Sequence, residues 1–284
     1  MSWLISPAAS NSRIKIMAPK AKAVKSSDDG SRANRIADLQ CTDPVAGLPG
    51  PGRWLIAEFE PTSLFSLKIS LATSSVGRTL VIPTPYAIKM ALVDAAFRAG
   101  LPEPDCDALL RDLVGVEVRI EPTPTAIITH TFVKVRQESR DPNSLSPYNS
   151  TIAYREVAYL HGLTRWAFDL AGGDDALAAR LTGLLPFVCY IGKRGSFARF
   201  VRLYRAIELG SEFTQPIVRT GLWSPPRRAH FVPLDDFGPD ADLETLSSYT
   251  QKRPRRNLHR RFIETIVPVG IVNTGPGFTI YNRE

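Results

Sequence analysis

The stretch TPYAIKMALVDAAFRAG (84–100) decides how the rest of the chain is read. Thr84 can cap a helix with its hydroxyl. Pro85 suits the first helical position, where no N–H is needed. Ile88, Leu92, Ala95, Ala96 and Ala99 then recur at helical spacing, which gives one apolar face. Gly100 and Pro102 end the helix.

Upstream, WLIAEFE (54–60) reads as a strand, with Leu64 to Leu71 as its continuation or partner. Downstream, a short helix is expected from Asp105 to Leu113. Val116, Val118 and Ile120 alternate with Glu117, Arg119 and Glu121, the pattern of a half-buried strand. Ile127 to Val135, Ile152 to Leu160 and Arg165 to Leu170 read as further strands, with a turn at His161-Gly162. The polar stretch 137–150 reads as a loop too long for an ordinary hairpin, hence an insertion. Gly172-Gly173-Asp174 introduces a further helix, with Leu177, Leu181, Leu184 and Leu185 on its apolar side. Phe187 to Ile191 reads as a short buried strand, and Phe200 to Leu209 alternates like another.

Without the insertion the order is βαββαβ. The fold class expected is α+β: a ferredoxin-like (RRM-like) βαββαβ domain with an inserted β-hairpin and a C-terminal β-rich extension. Two helices would cover one sheet face and leave the other open to a ligand, as in the RNA recognition motif. Residues 53–209 form the domain and 210–284 the extension. Residues 210–261 show little periodicity, and Ile263 to Val272 and Phe278 to Tyr281 close the chain as strands. Residues 1–52 read as a leader and linker: three prolines and three glycines fall between Asp43 and Gly52, and Met17 is a second possible start. Trp3-Leu4-Ile5 is too short for a secretory signal.

The 284 residues are 44% hydrophobic, enough for a sizeable core and too many for a wholly disordered chain. No run approaches the roughly 18 apolar residues of a membrane helix. Cys41, Cys106 and Cys189 form no CxxC pair and no disulfide framework, which suits a reducing cytoplasm. The net charge is +7 and unevenly spread. Lys252, Arg253, Arg255, Arg256, Arg260 and Arg261 lie in KRPRRNLHRR (252–261) without an acid, and residues 1–53 carry eight bases against four acids. The remaining body is slightly acidic. A basic segment of this kind reads as a polyanion site, or as a solvated face. With no aromatic inside it, it would supply affinity rather than base readout.

Motifs for catalysis are weak. His130, His161, His230 and His259 show no metal-ligand spacing, and neither a GxSxG elbow nor a phosphate loop is present. Cys189, inside FVCYI, is expected to be a buried core cysteine. His130 and Lys134 share a strand face, and with Tyr154 they could act as a metal-free ribonuclease set; ordinary strand surface is the other reading. The loop GKRGS (192–196) is more informative. Its glycines permit a sharp turn and close approach to a phosphate, Lys193 and Arg194 would neutralise it, and Ser196 could donate a hydrogen bond. The alternative is a tight surface turn. Phe197 and Phe200 could stack on bases or pack under the loop.

Three segments together resemble the CRISPR-associated Cas-five family of the RAMP superfamily: VIPTPYAIKMAL (81–92), TIAYREVAYL (151–160) and FVCYIGKRGSF (187–197), in the family's order. The resemblance covers Trp54 to about Glu208. It implies a non-enzymatic RNA-binding subunit of a type I Cascade-like interference complex, without cofactor or metal. Such a subunit holds the 5′ handle of the CRISPR RNA and contacts a Cas-seven-like backbone subunit and the large subunit. It also implies a hairpin thumb at about 127–152, and Lys89, Lys134, Arg136, Arg155, Lys193 and Arg194 as RNA contacts, to which the chemistry of the glycine loop adds Ser196. The leader and the basic segment have no counterpart in the family pattern; the segment could face target DNA, the large subunit or the CRISPR RNA. A metal-independent endoribonuclease acting on precursor CRISPR RNA and a basic protein-docking module unrelated to CRISPR are the alternative functions.

Overall fold

Trp54–Pro61 (β1) runs through the middle of a four-stranded antiparallel sheet. The structure, a computed structural model, describes residues 52–68, 76–139, 145–170, 175–217, 228–247 and 252–283. Apart from Gly52, the leader lies outside them. The sheet order is β4 (Val118–Glu121), β7 (Thr164–Asp169), β1, β8 (Ala198–Ala206). The chain is therefore mixed α/β with mostly antiparallel sheets. Alternation along β1 sends Leu55, Ala57 and Phe59 into the main core and Trp54, Ile56 and Glu58 to the opposite face. Phe59 stacks on Trp166 of β7 with centroids 3.9 Å apart.

Helix α1 (Pro85–Arg98) forms as its sequence predicts. The Thr84 hydroxyl accepts from the Ala87 N–H. At the other end Leu101 N–H donates to Ala96 C=O and Gly100 N–H to Phe97 C=O, a Schellman cap around Gly100 at φ 88°. Ile88, Leu92, Ala95 and Ala96 are buried. Each large aliphatic side chain so covered contributes about 1.5–3 kcal/mol. Helix α2 (Glu103–Val114) and helix α3 (Asp175–Leu184) join the same core through Leu109, Leu110, Leu113, Leu177 and Leu181.

The long hairpin is larger than expected. β5 (Thr125–Glu138) and β6 (Tyr148–His161) pair from Thr125↔His161 to Glu138↔Tyr148, so both ends of the expected 137–150 loop, Gln137, Glu138 and Tyr148 to Ser150, are strand. A short β2 (Leu64–Phe65) pairs antiparallel with β6, not with β1. β3 (Val76–Gly77) pairs with β6 in parallel.

The strand expected at Phe187–Ile191 is not one. Leu185–Phe187 is a 3₁₀ turn, and Cys189 to Ala198 closes a small turn through Ala198 N–H to Cys189 C=O. The fourth strand of the sheet is β8. Val188 and Ile191 point inward while Cys189 is exposed, which corrects its expected burial. Among the described residues Cys106 is the buried thiol, and burial pushes its pKa up to about 11.

The described parts of residues 210–261 hold more regular structure than their composition suggests. β9 (Gln215–Pro216) and β10 (His230–Phe237) flank β11 (Arg260–Val267) in a separate sheet, and helix α4 (Leu243–Leu246) follows β10. Pro268 divides the expected 263–272 strand. β12 (Val269–Gly275) and β13 (Phe278–Arg283) instead extend the hairpin's sheet, with β13 pairing to β5.

Candidate functional site

The sheet face opposite the helices is not open. Trp54, Ile56, Ala167 and Phe213 form a small buried cluster there. Arg165 bridges Glu58 and Glu121 at 2.7 and 2.6 Å, Arg202 reaches Glu58 at 2.6 Å, and Arg283 joins Glu121. Five acids (Glu58, Glu60, Glu117, Glu121, Asp169) pair with six arginines on this face, which leaves its charge largely compensated. The Arg202 hydrogen bond, supported by Arg165, holds the Glu58 carboxyl below the usual glutamate range. Stability from this carboxylate is in place above the ordinary value of about 4.3 and is lost as pH falls through the lowered folded value. Glu58→Gln is expected to lower the urea midpoint at pH 7 and to flatten its decline on acidification; an unchanged acid limb would show that the network carries no such linkage.

A second group of cations converges elsewhere. A cleft of about 600 Å³ opens between the N-terminal turn of α1, the hairpin and the glycine loop. Leu67, Leu80, Ala87, Met90 and Leu246 line it with apolar surface. Lys68, Arg155, Lys193 and Arg260 bring four cations from four separate segments, against the single carboxylate of Asp235. Apolar walls with a few convergent polar groups are the usual make-up of a ligand site. Arg260 lies 4.0 Å over the Tyr86 ring and pairs with the buried Asp235. Burial raises the Tyr86 pKa, so its hydroxyl stays neutral.

Local chemistry shapes the loop at the cleft's edge. Gly192 and Gly195 both adopt positive φ, 69° and 100°, which side-chain-bearing residues avoid. Ser63 Oγ donates to Gly195 C=O at 2.7 Å and accepts from Phe197 N–H. Lys193 and Arg194 stand exposed at the tip. Ser196 is 2% exposed, and its Oγ accepts from the Ser66 N–H. It is therefore a brace inside the turn rather than the ligand contact expected. Phe197 is half exposed, while Phe200 packs edge-on against Phe59.

Lys89 needs the plainest correction. It is 0% exposed, with Nζ 2.6 Å from Asp236 Oδ1 of β10 and 5.5 Å from the Phe237 ring centre. It ties α1 to β10 and does not reach a ligand. Burial pulls its pKa below the usual lysine range, against the opposing pull of Asp236. Arg261 reaches the other oxygen of Asp236 at 2.9 Å, and Lys252 pairs with Glu244 at 2.6 Å. The basic segment is thus divided: Arg253, Arg255 and Arg256 are exposed, Arg260 turns into the cleft, and Arg261 anchors. Arg256 lies over the Phe262 ring.

Lys134 and Arg136 project from the outer part of the hairpin, away from the cleft residues in register. His130, Phe132 and Lys134 share a face with Tyr154, and the His130 and Tyr154 rings are 6.0 Å apart. The Tyr154 hydroxyl donates to Glu156 at 3.0 Å, and burial together with this bond raises its pKa. Lys68, Tyr86 and Asp235 were not singled out from sequence. Lys68 stands alone among apolar and small residues, and Asp235 lies in a stretch without periodicity, so neither carried a local signal.

No family model matches the chain. A curated protein, the CRISPR-associated protein Cas5 of Archaeoglobus fulgidus, is 21% identical over 213 residues, covering 74% of this chain and 91% of its own length. The chain is similar to that Cas5 protein. The similarity extends over most of both chains, further than the stretch from Trp54 to about Glu208 to which the segments 81–92, 151–160 and 187–197 confined the resemblance. A solved structure of a CRISPR protein from Archaeoglobus fulgidus aligns with TM-score 0.41 and 11% identity, covering 81% of this chain and 92% of that one, below what establishes a common fold. Among the described residues no helix is long and apolar enough to cross a membrane, and no group of three or more His, Cys, Asp or Glu is placed to hold a metal ion.

Proposed function

We propose that the chain is a non-enzymatic, cytoplasmic RNA-binding subunit of a type I CRISPR interference complex, holding the 5′ handle of the CRISPR RNA. The observation that carries this reading is the cleft where Lys68, Arg155, Lys193 and Arg260 converge over apolar walls. Phosphates would sit on the cations, and an unstacked base has apolar surface to cover. In the same reading β1, α1, β4, β7, α3 and β8 are the ferredoxin-like core and β5–β6 is the thumb. The order β4-β7-β1-β8, antiparallel throughout, supports that plan. Lys134 and Arg136 on the hairpin, and Arg253, Arg255 and Arg256 beyond the cleft, are further backbone contacts. A Cas-seven-like backbone subunit and the large subunit are the protein partners. Engagement of the Tyr154 hydroxyl by Glu156 favours a binding role over a catalytic one for the His130, Lys134 and Tyr154 face.

The test is co-purification of the tagged chain expressed with its genomic neighbours, followed by sequencing of bound RNA. Short RNAs with one shared 5′ end, eluting with backbone subunits, are expected. A clean, RNA-free monomer would overturn the reading.

A further inference from the structure

We infer that Gly77 is a positioning residue: its missing side chain is what lets Arg155 lie across β3 into the cleft. Gly77 and Arg155 face each other in the parallel pairing of β3 and β6, and both line the cleft. A Cβ built on Gly77 would stand 2.9 Å from Arg155 Cδ and 3.2 Å from Nη1. The backbone does not itself call for glycine, since Gly77 is absent from the positive-φ residues that include Gly192 and Gly195. Its role is one of space. The atoms a methyl would meet belong to a long side chain that can swing aside, so the fold would tolerate the methyl while Arg155 would lose its pose. That pose is supported by Nη1 donating to the Tyr154 carbonyl at 2.9 Å. Arg155 has a fixed planar fork, so its direction decides which phosphate oxygens it can pair with.

This inference rests on the cleft being the RNA site, and a double-mutant cycle separates the two claims. Full-length wild type, Gly77→Ala, Arg155→Ala and the double variant are titrated with a labelled single-stranded RNA at several salt concentrations. Gly77→Ala and Arg155→Ala are each expected to weaken binding about tenfold, the scale of one charge-assisted hydrogen bond. Each should also lower the salt slope by about 0.7. The double variant is expected to be no weaker than Arg155→Ala alone. Unchanged binding in Gly77→Ala, or losses that multiply in the double variant, would overturn the inference and leave the cleft reading in place. Unchanged binding in Arg155→Ala would overturn both. If Gly77→Ala lowers the thermal midpoint, removing the Arg155 side chain should restore it, and failure to restore it would also overturn the inference.

Discussion

Asp236→Ala is expected to lower the unfolding free energy by about 3–5 kcal/mol, the scale for removing one partner of a buried ion pair. The carboxylate lies under β10, 2% exposed at its side chain, with Lys89 Nζ 2.6 Å from one oxygen and Arg261 2.9 Å from the other. Its Oδ1 also accepts the Phe237 N–H at 2.8 Å. Arg261 is 43% exposed at its side chain and can turn to water, whereas Lys89 at 0% cannot. Lys89 would be left as an uncompensated buried ammonium, a large fraction of the roughly 5–15 kcal/mol that holds a typical domain together. Urea unfolding of the single variants and of Lys89→Met with Asp236→Leu measures this. The apolar pair is expected to recover most of the loss. A loss under about 1 kcal/mol for Asp236→Ala would show that the pair does not clamp α1 to β10. A pH signature accompanies the variant. Because the folded-state pKa of Lys89 is lowered, unfolding takes up a proton in the window between that value and the ordinary lysine value of about 10.4. Stability should therefore rise with pH through that window, more steeply once Asp236 is gone.

Charge reversal of Lys193 and Arg194 to glutamate is expected to produce the largest change in binding. Both stand exposed at the tip of a turn shaped by Gly192, Gly195 and Ser63, and Arg194 also hydrogen-bonds the Tyr190 hydroxyl. The thermal midpoint should hardly move. Affinity for single-stranded RNA should fall well over tenfold at low salt, and the slope of log K against log salt should flatten by about 0.7 for each phosphate no longer neutralised. Anisotropy titrations between roughly 50 and 300 mM salt read both quantities. A fall in affinity with no change of slope would mean that the two residues act through the fold rather than on phosphates. No change in either would remove the loop from the interface.

Where local chemistry sufficed, the sequence was legible. α1 could be read from the Thr84 hydroxyl, Pro85, the spacing of Ile88 and Leu92, and the turn at Gly100, all within one stretch of chain. Alternation at Val116, Val118 and Ile120 likewise placed β4 to within two residues. β10 was missed because Pro233 and the pair Asp235-Asp236 imitate a loop. Those aspartates are tolerated in a buried strand only because Arg260, Arg261 and Lys89 arrive from elsewhere to neutralise them. Phe187–Ile191 differs for the opposite reason: an apolar run reports burial, not ladder pairing, and Val188 and Ile191 are buried in a segment whose one bridge is Tyr190 to Phe197.

By itself, then, the sequence determined helices α1, α2 and α3, most of the strands, the glycine loop and the concentration of positive charge, because propensity, capping and periodicity act within a few residues. Only the tertiary structure decided which cations face a ligand. Lys89 and Arg155 are both single bases in otherwise ordinary helix and strand sequence, equally plausible as contacts in a one-dimensional reading. Packing places Lys89 under β10 against Asp236 and lets Arg155 pass over Gly77 into a cleft with Lys68, Lys193 and Arg260. The difference is one of desolvation and available space, set by residues far apart in the chain, which no local pattern encodes.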